Sequence, residues 1–188
     1  MKTHILPAIK LTLGTLILFT VLYPALILAF AQVSPNKGKG EIVQYNGHTY
    51  YSNIGQSFTE DQYFWSRPSA VDYNASGSGA SNKGPSNKEY LEAVQTRIDT
   101  FMQHNPGIKR SDIPVDLVTA SGSGLDPNIS VQAAKVQIQR IAAVRKLALS
   151  EVEQLVNQQT EKPLCGLFGP EKINVLKLNI ALDRLSKK

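Results

Sequence analysis

The chain has a single cysteine, Cys165, so no disulfide can close within it and packing must hold the fold. No histidine or basic cluster lies beside that thiol, and Cys165 is expected in the core as a small apolar residue rather than as a reactive one. Histidine is scarce too. His4, His48 and His104 fall in a membrane flank, a hairpin and a helix end, a pattern that offers neither metal-ligand spacing nor a base for a serine nucleophile. Charge of one sign is also lacking. The formal net charge is +5, and setting aside two of the five, Lys2 and Lys10, leaves about +3 on the rest, too little and too scattered for nucleic acid.

Nucleotide motifs are missing as well. A phosphate-cradling loop needs Gly-x4-Gly-Lys-Ser/Thr, but Gly79 to Ser86 reads Gly-x4-Gly-Pro-Ser, with Lys83 before the glycine and Pro85 lacking an amide. Gly122-Ser123-Gly124 lacks the third glycine of a dinucleotide fingerprint. There is one long hydrophobic run and no carbonyl-filter string such as TVGYG, so the chain builds no ion pore by itself.

What is present begins with that run. From Leu11 to Val33 about 23 residues carry no charge, enough at about 1.5 Å each to cross the hydrocarbon layer. Ala29-Phe30-Ala31 would suit signal cleavage, but the run exceeds a signal peptide's apolar region, which favours a retained anchor. Pro24 should kink it or be satisfied by a neighbouring helix, and Gly14, Thr15 and Thr20 would give such a face close approach and hydroxyls. The lysines slightly favour an amino terminus inside. The chain therefore reads as residues 1–10 in the cytoplasm, 11–33 across the membrane, 34–40 as a Pro/Gly/Lys linker, and 41–188 as one extracytoplasmic globular domain.

In that domain Asn46-Gly47, between 41–45 and 48–51, signals a hairpin. Trp65 and Arg67, in an aromatic cluster with Tyr63 and Phe64, are packing residues or partner anchors. A helix is expected over 87–103, capped by Ser86 and Glu89, with Tyr90, Leu91, Val94, Ile98, Phe101 and Met102 on its apolar stripe. A long central helix is expected over 131–149, with Gln132, Lys135, Gln139 and Lys146 facing solvent. A third, capped by Ser150 and Glu153, should reach Gln159. Leu176, Leu178, Ile180 and Leu182 alternate with more polar residues and read as a half-buried strand. The class is α+β: one transmembrane helix, then a small domain of about three helices and a small sheet.

The segment Ala75-Ser76-Gly77-Ser78-Gly79 recurs letter for letter as Ala120-Ser121-Gly122-Ser123-Gly124. Alternating glycines allow close backbone approach and the serines offer hydroxyls, which suits a hydrogen-bonded structural loop or a docking surface. Arg140 and Arg145 lie toward the apolar edges of the central helix, where a guanidinium needs several acceptors, so one of them is expected to pin a Ser/Gly loop.

The strings Ser66-Arg67-Pro68-Ser69-Ala70, Tyr73-Asn74-Ala75, Ser81 to Asn87 and Asp116 to Pro127 resemble the C chain of the Kdp potassium-transporting ATPase, and the likeness runs over nearly the whole chain. It departs at Gly79 to Lys83, where a Gly-Gly-Ser-Asn-Leu run is usual, and at Asn128, where His is common. The resemblance implies a non-catalytic accessory subunit with its soluble domain outside the inner membrane. The implied partners are a potassium-selective channel-like subunit, an ATP-hydrolysing P-type subunit and membrane lipid. No Asp-Lys-Thr-Gly phosphorylation motif occurs here, so ATP and potassium belong to the complex, and no cofactor or metal is assigned to this chain. The family is further credited with a catalytic-chaperone role that raises ATP affinity, for which Ser121 to Gly124 and Arg145 would be the residues. The residues expected to dock or pin loops are Trp65, Arg67, Ser76, Ser78, Ser121, Gly122, Ser123, Gly124, Arg140 and Arg145. An extracytoplasmic serine-type hydrolase is the alternative, resting only on serines beside glycines.

Overall fold

The computed structural model describes residues 2–34 and 36–186 and divides into two compact units, residues 1–51 and 52–188. Pro35 of the expected linker and the chain ends at Met1, Lys187 and Lys188 lie outside the described residues.

In the first unit, helix α1 (Lys2–Ile17), a π-helical turn (Leu18–Leu22) and helix α2 (Tyr23–Gln32) follow one another without a break. Of these, Thr3–Gln32 is 30 residues, apolar and nowhere buried, long enough to span a bilayer and longer than the uncharged run alone. The wide turn stands immediately before Pro24. Tyr23 N–H donates to Leu18 O, one residue further back than in an α-helix, which makes room for a proline ring that has no N–H to give. Thr15 and Thr20 return their hydroxyls to Leu11 O at 2.9 Å and Leu16 O at 2.6 Å, so both are satisfied inside the helix. The hairpin forms as expected: β1 (Ile42–Tyr45) pairs antiparallel with β2 (His48–Tyr51), Tyr45 opposite His48. Asn46 and Gly47, at φ 50° and 78°, make the two-residue left-handed turn.

The second unit carries α3 (Lys88–His104), β3 (Asn128–Ile129), α4 (Val131–Lys135), α5 (Ile138–Arg145), α6 (Leu149–Gln159), β4 (Thr160–Glu161), β5 (Lys172–Asn174) and α7 (Val175–Leu185). Its three short strands run antiparallel in the order β3-β5-β4, with Ile129 and Thr160 both opposite Ile173. So small a sheet cannot be the core. The core is apolar side chains from several elements, among them Phe64, Phe101, Ile141, Val152, Ile173, Leu178 and Leu182, each at most 2% exposed. Burying one such side chain contributes about 1.5–3 kcal/mol.

Several sequence expectations are corrected. The 175–185 segment is helix α7, not a strand: Val175, Leu176, Leu178, Asn179, Ile180 and Leu182 are all buried, so the alternation reflects a helix enclosed on most sides. Asn174 caps it, its Oδ1 accepting from Lys177 N at 3.1 Å. The central helix is two helices, because at Val136 and Gln137 the chain tightens into a turn whose Gln137 N–H reaches back only to Ala134 O. Lys146, at φ 56°, then ends α5 in a left-handed cap. Asn87 rather than Ser86 caps α3, accepting from Tyr90 N at 3.0 Å. Glu151 serves α6 by accepting from Ala148 N at 3.1 Å, in place of Ser150 and Glu153. Leu91, expected on the buried stripe of α3, is 51% exposed. Cys165 is exposed, at φ 54° on a loop tip, not a core residue.

Candidate functional site

The two Ser/Gly repeats lie side by side. Gly79 N–H donates to Ser123 O at 2.8 Å and Ser78 Oγ, 45 residues away in sequence, to the same carbonyl at 3.2 Å. The second repeat closes on itself: Ser121 Oγ accepts from Gly124 N at 3.0 Å and Ser123 Oγ from Leu125 N at 3.1 Å. Ser69 ties the pair to the chain before it, donating to Gly124 O at 2.7 Å while accepting from Tyr73 N at 2.9 Å. Gly124 is where only glycine fits. At φ +67° a Cβ would lie 2.7 Å from Val71 Cγ2 and 2.9 Å from Gly79 O. Gly77 and Gly122 have open space beside them, and Ser76 and Ser78 are exposed, which leaves the tips of the loops facing outward.

Arg67 and Asp126 brace this platform with an ion pair at 2.7 Å, about a quarter exposed on each side. Asp126 also accepts from Asn128 N at 3.0 Å, and Gly55 N–H reaches Leu125 O at 2.7 Å, so the loop is fixed from both flanks. Tyr73 donates its hydroxyl to Arg67 O, and burial pushes its pKa above the usual tyrosine value. Downstream, Asp116 accepts from both the backbone N–H of Ser130, at 2.7 Å, and its hydroxyl, while Ser130 caps α4.

A second cluster is built on Arg140. Its side chain is 3% exposed and donates to Asn105 Oδ1 at 3.0 Å, Gln137 Oε1 at 2.7 Å, Tyr63 O at 3.0 Å and Asp61 O. Burial lowers its pKa to about 10, with Asp61 opposing the shift, so it is charged at neutral pH. Its guanidinium stacks 4.9 Å from the Trp65 ring, which meets Phe101 edge-on at 5.9 Å and His104 at 5.1 Å. His104 Nδ1 lies 2.8 Å from Asp61. Arg145 forms a parallel arrangement: Asp183 at 2.7 Å, Gln62 O at 2.8 Å, and the Tyr63 ring 4.8 Å beneath its guanidinium. Burial, then the Asp183 carboxylate, raise the Tyr63 pKa.

The expectation that Arg140 or Arg145 pins a Ser/Gly loop is therefore corrected. Their acceptors lie chiefly in residues 61–63 and on neighbouring helices. The loops are held instead by Arg67, Asp126 and Ser69. Ser78 donates its hydroxyl to a backbone carbonyl, Ser121 and Ser123 accept backbone N–H groups and lie 3.3 Å from each other, and His104 is engaged with Asp61. No group of three or more metal-ligating residues occurs among the described residues.

Two regions thus stand out, a Ser/Gly platform with outward tips and an aromatic-arginine cluster fastening residues 61–65 to the helices. The model of the family described as K+-transporting ATPase, c chain, matches residues 5–184. The chain belongs to this family. It is 56% identical to the potassium-transporting ATPase KdpC subunit of Flavobacterium johnsoniae, over 94% of this chain and 96% of that one. It is 50% identical to that of Bacteroides fragilis over the full length of both, and 46% identical to that of Herpetosiphon aurantiacus over 98% of each. The family resemblance read from the Arg67, Tyr73 and Asp116 to Pro127 strings is thereby shown, and the chain is a subunit of a potassium-transporting ATPase.

Sequence reasoning singled out Trp65, Arg67 and Arg140 but missed the residues that organise them. Gln137, fully buried, accepts from Trp65 N at 2.8 Å, and Asn179 grips both backbone groups of Phe64 at 2.9 and 3.0 Å. An amide amid a run of aliphatic residues was the available signal, since a buried amide requires partners.

Proposed function

We propose that the chain is the non-catalytic, single-pass accessory subunit of an ATP-driven potassium uptake complex, holding the complex together from the outer face of the inner membrane. The match over residues 5–184 carries this reading, because relatives covering the whole chain are named as subunits of that transporter. The helix Thr3–Gln32 supplies the anchor and packs against a multi-span, potassium-selective partner, with Gly14, Thr15, Thr20 and Pro24 as the positions that allow close approach or accept a neighbouring helix. The head docks through Trp65, Arg67 and the outward tips at Ser76, Ser78 and Gly122, which the hydrogen bonds of Ser121, Ser123 and Gly124 behind them hold rigid, so the ordering cost of association is low. Arg140 and Arg145 act through the 61–65 segment they hold.

Any effect on ATP affinity of the ATP-hydrolysing subunit is transmitted through the anchor. ATP is cytoplasmic, whereas this reading puts the Ser/Gly loops outside, and Arg145 is already engaged by Asp183. Affinity purification of the tagged chain from detergent-solubilised membranes, at native expression, should bring both larger subunits with it; a chain that comes away alone would overturn the assignment. For sidedness, a Ser76→Cys, Cys165→Ser variant should react with a membrane-impermeant maleimide in intact spheroplasts. Labelling only after lysis would place the head in the cytoplasm.

A further inference from the structure

The excursion from β4 to β5 gathers three of the most exposed large apolar side chains of the second unit: Leu164, Leu167 and Phe168 are 72%, 81% and 68% exposed. It is a structured loop. Its base is closed by the antiparallel pair Glu161 and Lys172, and higher up Leu164 and Phe168 exchange two backbone hydrogen bonds of 3.0 Å each. Within the tip, Gly166 N–H donates to Pro163 O at 2.9 Å and Leu167 N–H to Leu164 O at 3.1 Å, with Cys165 and Gly166 at φ 54° and 72° making the turn. Pro163 and Pro170 have no amide to satisfy.

A protruding tip with apolar side chains, and with the amides of Leu164, Gly166, Leu167 and Phe168 bonded within the loop, carries a reduced polar cost into the membrane interface, where an unpaired amide is expensive. The polar residues are at the base. Lys162, Lys172 and Lys177 stand there against Glu161 and Glu171, a balance of one positive charge; Lys172 and Lys177 share the Glu161 carboxylate at 3.8 and 3.5 Å, which leaves Lys162 beside the tip to meet a phosphate. The same chain carries the helix Thr3–Gln32, and only residues 33–51 separate that helix from the second unit. At about 3.3 Å per residue a fully extended tether of that length spans roughly 60 Å, so the start of the second unit at Ser52 stays within that reach of the helix end.

From these features we infer that the 163–169 loop is a membrane-interface anchor, its Leu164, Leu167 and Phe168 side chains seated among lipid headgroups and upper acyl chains and Lys162 beside it on an anionic phosphate. A protein surface is the less fitting occupant: protein interfaces combine apolar anchors with hydrogen-bonding groups, and this tip has turned most of its own inward. The inference rests on the helix crossing the bilayer, as the proposed function does, but not on the identity of the partner subunits.

Cys165, alone of its kind and at the tip, makes the test direct. The full chain, labelled there with a nitroxide, is reconstituted into vesicles of phosphatidylethanolamine and phosphatidylglycerol, and co-flotation after alkaline washing first establishes the helical anchor. Failure to float would count against the anchor and so against the foundation of both readings. In floated vesicles, collision rates with lipid-soluble oxygen and water-soluble nickel chelate are compared with those of a nitroxide at position 158 in a Gln158→Cys, Cys165→Ser variant. The expected result is an oxygen-to-nickel ratio at Cys165 several-fold above that at position 158, falling to the position-158 value when Leu167 and Phe168 are replaced by Asp. Free access to nickel in the unaltered loop would overturn the inference, and so would shielding from both agents, which marks burial against protein. The same measurement in the assembled complex must give the same ordering; shielding from both agents there would assign the loop to a partner subunit instead.

Discussion

Gly122→Ala and Gly124→Ala differ by two positions in one repeat, and their stabilities should differ widely. At Gly124 an alanine must hold φ +67°, which costs an L-residue roughly 1–2 kcal/mol. Its methyl would also sit 2.9 Å from Gly79 O, a backbone atom fixed by the Gly79 N–H to Ser123 O bond, and 2.7 Å from Val71 Cγ2, so the two loops must part. Overpacking of that kind costs about 1–3 kcal/mol. The total, about 2–5 kcal/mol, lowers the melting temperature of a domain of this size by about 10 °C. Gly122→Ala meets nothing within 4 Å and has no positive φ, so it should fall within about 0.5 kcal/mol of the parent chain. Thermal unfolding of the full chain in detergent, followed by near-ultraviolet circular dichroism, reads both. If the two variants melted within a degree or two of each other, the paired-loop geometry would be wrong.

Arg140→Met should cost about 3–5 kcal/mol in the same assay, because it strands a cluster of buried acceptors, and Arg140→Lys should be intermediate since one ammonium cannot reach all four. A loss below 1 kcal/mol for the methionine variant would show that the cluster is not what fastens residues 61–65. Asn179→Leu leaves the Phe64 N–H and C=O unpaired, costing about 1–3 kcal/mol for each group, and should speed hydrogen exchange at Phe64; unchanged protection there would refute it. Tyr73 gives a pH signature. Its folded pKa is raised, so the unfolded chain ionises first, and stability is present below pH 10 and lost as pH climbs from 10 through the folded value. Tyr73→Phe, though less stable at neutral pH for want of the bond to Arg67 O, should show a shallower alkaline decline; an identical alkaline slope would contradict the assignment.

The elements legible in the sequence were those whose signals are local. Asn46-Gly47 between alternating strands and the amphipathic run of α3 are decided by backbone preference and one-sided burial, and both form within a residue or two of expectation. Elements decided by tertiary surroundings were misread. In α7 every second residue is aliphatic, yet Val175 and Asn179 are buried too, and enclosure by the rest of the unit, not periodicity, settles the conformation. Nothing local marks the break after α4, where Gln137 gives its side chain to Trp65 and Arg140. The repeats were legible as a feature but not as a pair, since identical strings carry no sign that they bond to each other.

The hydrogen bonds also explain how long irregular segments can be ordered beside so small a sheet. Residues 52–87 contain no regular element and 105–127 only two short helical turns, so their backbone groups need partners other than a ladder. Side chains supply them: Asn179 and Gln137 bind the backbone at Phe64 and Trp65, Arg140 and Arg145 that of 61–63, Asp116 and Asp126 that of Ser130 and Asn128, and Ser69 that of Val71, Tyr73 and Gly124. A surface built this way has the sequence freedom of a loop with much of the rigidity of a sheet, a combination suited to recognition. On the docking reading, it follows that substitutions at these clamps should weaken assembly without touching the interface. Asp126→Ala, which releases Asn128 and the docking residue Arg67, should impair co-purification of the complex more than Ser76→Ala at an exposed tip, even though Asp126 itself would not meet the partner.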